Sequence, residues 1–358
     1  MKRILLGSTA LVTAGLLAGA ASAADPIKAS VAGYYRTGFG FYDSDQANRT
    51  DTGLMSDVEI WFRGSTKLDN GIEVGVMVEL EAESSADQVD EHHVYFRGSF
   101  GEIRIGKEDD VRKLFANAAP WAAQNFAVNS PFFTAAPSTQ TTTANMENDS
   151  TKIIYFTPSF SGFRLGASYT PNDNRATSSG DAINNADNDA GQRSESVSVA
   201  AAYAGTLGGV KVSADIGYTT ANPETGTLDP NIMRGGLVVS VAGFDIGGSY
   251  ERTEDYTVAG KEVKTFDLGI AYSTGPWKVG LAWLHSDFDI GAGNSSSTCS
   301  AASTKACDFD AYVLGASYNM GAGVWVDAAV EITKAEGTLG SNTDNDTSAF
   351  FIGTRVAF

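Results

Sequence analysis

The chain has 358 residues, of which 39 are Gly and 9 Pro, and it carries 43 acidic against 25 basic side chains for a net charge of −18. So much Gly argues against a helical bundle, because each Gly inside a helix costs about 1 kcal/mol relative to Ala, and the acidic surplus argues against a nucleic-acid partner. A hydrophobic content of 42% excludes disorder and leaves a large, acidic, Gly-rich β protein.

The first residues set the compartment. Lys2 and Arg3 precede an apolar stretch ending in Ala21-Ser22-Ala23, the three-part form of a secretory signal cleaved after Ala23. Gly7, Ser8, Thr9, Thr13, Gly15 and Gly19 dilute this stretch too far for a membrane anchor. Residues 24–358 are then expected to form one domain, its net charge −20 once Lys2 and Arg3 are removed. No later window is long and apolar enough for a spanning helix, but a transmembrane barrel shows lipid only alternate residues, so period two is the relevant test.

Taken in chain order, the first strand runs from Ile27 to Gly40. From Asp57 onward, Val58, Ile60, Phe62, Gly64, Thr66 and Leu68 share one face, and Glu59, Trp61, Arg63, Ser65 and Lys67 the other. Asp69-Asn70-Gly71 is a tight hairpin expected to use positive-φ residues, after which Ile72, Val74, Val76, Val78 and Leu80 resume the apolar face. A fourth strand sets Val94 and Phe96 against Glu91, His93, Tyr95 and Arg97; a short fifth passes through Ile103 and Ile105. Eleven more are expected: Lys152 to Thr157, Phe163 to Thr170, Glu195 to Ala204, Val210 to Thr219, Ile232 to Val241, Phe244 to Glu251, Glu262 to Ser273, Trp277 to Asp287, Asp308 to Tyr318, Val324 to Ile332 and Ser348 to Phe358. Short turns alternate with long polar connections along the chain. Sixteen antiparallel strands with short turns at one end and long loops at the other describe an all-β, transmembrane, 16-stranded barrel. A secreted sandwich also alternates, but it would show Lys and Glu where several of these strands carry Gly, Ala or Ser.

The third long connection, 108–150, holds Val111, Leu114, Phe115, Trp121, Phe126, Val128, Phe132 and Phe133, too many apolar side chains for a loop in water. It is expected to fold into the barrel and narrow it. Glu108, Asp109 and Asp110 open it and Glu147 and Asp149 close it, while Arg36, Arg63, Arg97 and Arg104 occupy inward strand positions. Acid on the loop opposite base on the wall would put a transverse field across the narrowest point; the alternative is the ordinary polar face of a wet wall. Inward Glu59, Glu73, Glu79, Glu81, Glu83 and Glu91 outnumber Arg63, Lys67 and Arg97, which predicts weak cation selectivity.

The last ten residues place Phe350, Ile352, Thr354, Val356 and Phe358 on one face. Together with Phe100-Gly101-Glu102-Ile103-Arg104-Ile105-Gly106-Lys107 and Tyr155-Phe156-Thr157-Pro158-Ser159-Phe160-Ser161-Gly162-Phe163, this ending resembles the Gram-negative general porins over the whole mature length. The third loop lacks the Pro-Glu-Phe-Gly-Gly motif of the enterobacterial branch, so the chain is more similar to the α- and β-proteobacterial porins. The resemblance implies a multi-pass outer-membrane channel for passive diffusion of small hydrophilic solutes, in contact with the lipid bilayer and lipopolysaccharide, and assembled as a homotrimer. It also implies that Phe358, Val356 and Ile352 form the signal read by the barrel assembly machinery, with Thr354 departing from that pattern. A substrate-specific porin, or a structural or adhesive barrel, is the alternative reading.

Catalysis finds little support: the three histidines include His92 and His93, adjacent on a strand and therefore facing opposite ways. Cys299 and Cys307 fall in one long loop of an exported chain, where a disulfide is the simplest reading and a metal site the weaker one. No cofactor is expected. The tracts Asp43-Ser44-Asp45, Asp187-Asn188-Asp189 and Asp344-Asn345-Asp346 could take Ca²⁺, but none has the spacing of a dedicated calcium loop.

Overall fold

The computed structural model describes residues 25–45, 50–83, 88–123, 126–128, 141–144, 146–147, 149–173, 193–226, 228–255, 260–289, 307–338 and 343–358. The expected leader, the Asp187-Asn188-Asp189 tract, residues 129–140 and Cys299 lie outside them, so the disulfide does too. Sixteen strands follow in order: β1 (Lys28–Ser44), β2 (Thr52–Lys67), β3 (Glu73–Glu81), β4 (Val89–Gly98), β5 (Gly101–Lys107), β6 (Thr151–Phe156), β7 (Phe163–Asn172), β8 (Arg193–Leu207), β9 (Val210–Pro223), β10 (Asn231–Val241), β11 (Phe244–Glu254), β12 (Glu262–Thr274), β13 (Trp277–Phe288), β14 (Cys307–Gly321), β15 (Val324–Thr338) and β16 (Thr343–Ala357). Each pairs antiparallel with its sequence neighbours, and β1 pairs with β16, closing the barrel. Closure leaves no sheet edge, the condition under which a sheet can stand in lipid.

Several strands run past the range the alternation predicts. β1 continues four residues beyond Gly40 and β15 six beyond Ile332, both toward the long-loop end, while β8 and β14 gain three residues each at the short-turn end. At the long-loop end both faces of the strand meet water, so the hydrophobic pattern fades while backbone pairing continues. At the first hairpin, Gly71 takes a positive φ of 84°. Asn70 does not; it contributes its side-chain oxygen, which accepts a hydrogen bond from the Ile72 N–H at 3.1 Å, so one left-handed residue suffices. At the seam, Phe358 and Gly33 exchange backbone hydrogen bonds of 3.0 and 3.1 Å, tying the C-terminus into the wall.

The outward face is apolar in its middle, where Ile216, Leu268, Leu281 and Leu314 stand exposed. Aromatic pairs border it. Phe163 with Tyr203, Phe244 with Tyr272 and Trp277 with Tyr318 lie at the short-turn end, at centroid separations of 4.5 to 4.8 Å. Phe266 and Tyr312 flank Trp283 toward the long-loop end. A greasy band between two aromatic girdles is the outer surface of a membrane barrel.

Candidate functional site

The strands flanking the third loop are the shortest, seven residues in β5 and six in β6. The chain leaves the wall there and turns inward. A single helical turn, α1 (Val111–Leu114), starts the loop, capped by Asp110, whose Oδ1 accepts from the Lys113 N–H at 2.8 Å. From α1 the loop crosses the inner wall strand by strand, over a Gly on β7, β9, β10, β12, β13 and β14, while β8 and β11 present Ala200 and Ser249. Val111 sits where a side chain of Gly166 would be, the Arg112 stem occupies that place at Gly217, and the Asn117 carbonyl at Gly236. Ala119 and Pro120 lie on Gly269, Ala122 on Gly280 and Ala123 on Gly315. Phe126 then packs on Phe351, ring centroids 4.0 Å apart. Bare strand backbone on one side and small Ala side chains on the other let the loop lie flat, leaving the rest of the lumen to water.

Buried polar groups fix this path. Arg112 donates to Glu251 at 2.8 Å, Thr219 at 3.1 Å, Asp110 at 3.3 Å and the Ala144 carbonyl. Arg234 donates to the carbonyls of Asn117 at 2.7 Å and Thr142 at 2.8 Å, and pairs with Asp215. Asp215 accepts from the Asn117 N–H at 2.7 Å; Asp267 accepts from the Ala119 N–H at 2.7 Å, Thr142 at 2.5 Å and Ser249 at 2.8 Å. Of these residues, sequence reasoning named only Asp110. The only available signal for the others was the occurrence of charged side chains at inward positions on strands otherwise lined by Gly, Ser and Thr.

The loop acids stand at the two roots of the loop. Glu108, Asp110 and Glu147 are 2%, 0% and 0% exposed and bind the wall at short range, instead of looking across water. Glu108 takes Arg104 at 2.6 Å and lies 3.3 Å from His93 Nδ1; Glu147 accepts from Thr170 and Ser196, with Lys152 at 3.7 Å. Asp149, at the second root, has a φ of 43°. The span from Phe115 to Met146 contains no charged residue at all. The geometry thus corrects the expected picture: charge on the loop serves its attachment, and its middle is neutral.

The wall arginines do gather on the side of the lumen that the loop leaves open. Arg36 pairs with Asp57, while Arg97 and Arg104 converge with Arg164 on the buried Glu102 at 3.0, 2.7 and 3.4 Å. Arg36, Arg63 and Arg97 each lie over the ring two residues before them, Tyr34, Trp61 and Tyr95, at 4.8 to 5.0 Å. Arg63, Arg97 and Arg104 share a lumen recess of about 330 Å³ with Lys28, His93 and Tyr95. His92 faces outward, opposite His93, as alternation requires. Among the described residues, two carboxylate sets are close enough to hold a cation: Glu91, Glu108 and Asp109, and Glu59, Glu79 and Asp90. In the first, Arg104 and Lys113 already neutralise two of the charges.

Burial pushes Asp109 up to about 7, a hydrogen bond shared with Asp149 adding to the rise and Lys113, at 2.7 Å, opposing it. The folded chain therefore binds a proton that the unfolded chain has released above about pH 4, so this group costs stability progressively as pH rises from about 4 to about 7. Asp109→Asn is expected to flatten that part of the stability profile, measured by heat denaturation in detergent at stepped pH. An unchanged slope would remove Asp109 as its source.

The model for the family described as Gram-negative porin matches residues 7–348. Among solved structures, the anion-selective porin from Comamonas acidovorans is 16% identical, with a TM-score of 0.63 over 93% of this chain and 100% of that one. OmpT of Vibrio cholerae in its trimer form is 14% identical, TM-score 0.61, over 93% and 100%. A variant of the Rh. blastica porin is 16% identical, TM-score 0.57, over 92% and 100%. No curated protein is matched by sequence. With the family match over nearly the whole length and a closed sixteen-stranded wall girdled by aromatics, this is a multi-pass outer-membrane channel for solutes, and the chain belongs to the Gram-negative porin family.

Proposed function

We propose that the channel is a general diffusion pore, passing small hydrophilic solutes and ions down their gradients without cofactor or catalysis, with weak preference for cations. The observation that carries this reading is the lumen itself: a neutral loop flattened on one wall, facing an open wall of ionised side chains. Sixteen strands enclose more space than side chains can fill, so the interior is wet, and the inward aromatics Tyr34, Trp61 and Tyr95 lie beneath arginines, a polar lining and not a greasy path for one substrate class. The preference for cations rests on the inward carboxylates of β2 to β4.

A homotrimer is proposed from the trimer form of the similar Vibrio protein and from small outward residues at the barrel seam, Ala29 and Gly33. Delivery by the barrel assembly machinery through Phe358, Val356 and Ile352, contact with lipopolysaccharide at the long-loop end, and cleavage after Ala23 complete the reading.

Purified protein added to a planar bilayer is expected to give stepwise conductance, and in a KCl gradient the dilute side is expected to become positive. A structural barrel would give no steps. An opposite zero-current sign would overturn the cation preference and leave the pore reading standing.

A further inference from the structure

The open wall sorts its charge by height. Cross-strand register puts Glu59 opposite Glu81, and Trp61 opposite Glu79, on the long-loop side of the lumen, with Asp90 and Glu91 beside them on β4. One row lower, Arg63 pairs with Met77 and Met77 with His93; below that row, Lys67 pairs with Glu73, Tyr95 with Arg104 and Arg97 with Glu102. Lys28 and Arg164 join this lower group, Lys28 lining the same recess as Arg63 and Arg97 and Arg164 reaching Glu102.

The upper band thus holds five carboxylates. Of the bases around it, Lys113 of α1 is held by Asp109 and Arg36 by a further acid, Asp57, with Arg355 the register partner of Arg36. The lower band holds six bases, Lys28, Arg63, Lys67, Arg97, Arg104 and Arg164, against Glu73 and Glu102. The bands meet between the Trp61–Glu79 row and Arg63, but their far rows, Glu59 and Lys67, are eight residues apart on one strand, roughly 26 Å at the usual strand rise. That span exceeds the Debye length of about 10 Å at 0.1 M salt, so an ion at either far row feels chiefly the band around it. The loop does not blur them, because its span from Phe115 to Met146 is uncharged.

We propose that this channel is a bipolar rectifier, a cation-admitting zone toward the long loops in series with an anion-admitting zone toward the short turns. The inference rests on the pore reading above. When the long-loop side is positive, cations enter easily through the acidic zone and anions through the basic zone. Each is held back by the zone beyond, ions accumulate at the junction and conductance rises. With the voltage reversed, both species are drawn away from the junction and conductance falls.

Single insertions in a planar bilayer test this by the ratio of currents at equal and opposite voltages. A tag in an extracellular loop, blocked by a bulky binder from one side only, marks the orientation. The expected ratio is about two in 0.1 M KCl, larger with the long-loop side positive, and close to one in 1 M KCl, where the Debye length shrinks to about 3 Å. Arg63→Gln with Lys67→Gln should lower the ratio in 0.1 M KCl, as should Glu59→Gln with Glu81→Gln. The wild-type salt dependence needs no variant to fold. Steps with equal currents at both polarities in 0.1 M KCl, an asymmetry of the opposite sign, or one that persists unchanged in 1 M KCl would each overturn the rectifier alone. Absence of steps would overturn the pore reading beneath it.

Discussion

Arg112→Ala is expected to release the loop and widen the channel. The Arg112 side chain is fully buried between α1 and the wall, with Glu251 on one prong of the fork and Asp110 and the Ala144 carbonyl on the other. Truncation leaves two carboxylates without their cation in a site closed to water. Breaking a buried pair in this way costs about 3–5 kcal/mol, and those carboxylates regain hydration only if the loop lifts. The barrel keeps its own hydrogen-bonded ladder, so the expected result is a folded protein with larger single-channel conductance and a loop newly open to protease. Arg112→Lys keeps the charge but not the fork and should fall between. A variant with wild-type conductance and an uncut loop would show that Arg112 does not hold the constriction.

Gly236→Val is expected to act at the middle of the loop by shape alone. A Cβ there would fall on the Asn117 carbonyl oxygen and 2.7 Å from Asp215 Oδ1. That carbonyl is backbone and cannot swing aside, so the loop must move off, giving up the bonds from Arg234 to Asn117 and from Asn117 to Asp215. Overpacking of this kind costs about 1–3 kcal/mol, before the loss of those bonds. Gly235→Val is the control, since its added Cβ meets only the Asp215 carbonyl at 3.5 Å and its side faces lipid. Larger conductance in Gly236→Val but not in Gly235→Val would place the effect in the loop. Equal behaviour of the two would assign it to strand distortion.

The strands were readable because their causes are local. Alternation from Val58 to Leu68 puts one face in lipid whatever the rest of the chain does, and the Asn70-Gly71 turn fixes the register of β2 on β3. The presence of an inward loop was readable too, from Val111, Phe115, Phe126 and their apolar neighbours. The route of that loop was not. Its contacts join Asn117 to Asp215, Arg112 to Glu251 and Ala119 to Asp267, pairs 98 to 148 positions apart, and no local periodicity encodes such distances. The glycines beneath it looked like a general feature of curved strands. Only their placement on six strands under one crossing segment gives them a purpose.

The acids show the same division. A sequence can say that Glu108, Asp109, Asp110, Glu147 and Asp149 bracket a loop, and on that basis facing arginines across water is a reasonable expectation. Whether a carboxylate faces water or wall depends on the chain folded over it, and here Glu108, Asp110 and Glu147 are covered. By itself, then, the sequence determined a closed membrane wall of sixteen strands and the sign of charge on each inward face, because pleat and lipid act residue by residue. Tertiary structure decided where the loop lies, which charges it buries and which it leaves in the current path. Those outcomes depend on hydrogen bonds and excluded volume between segments that meet only after the barrel closes.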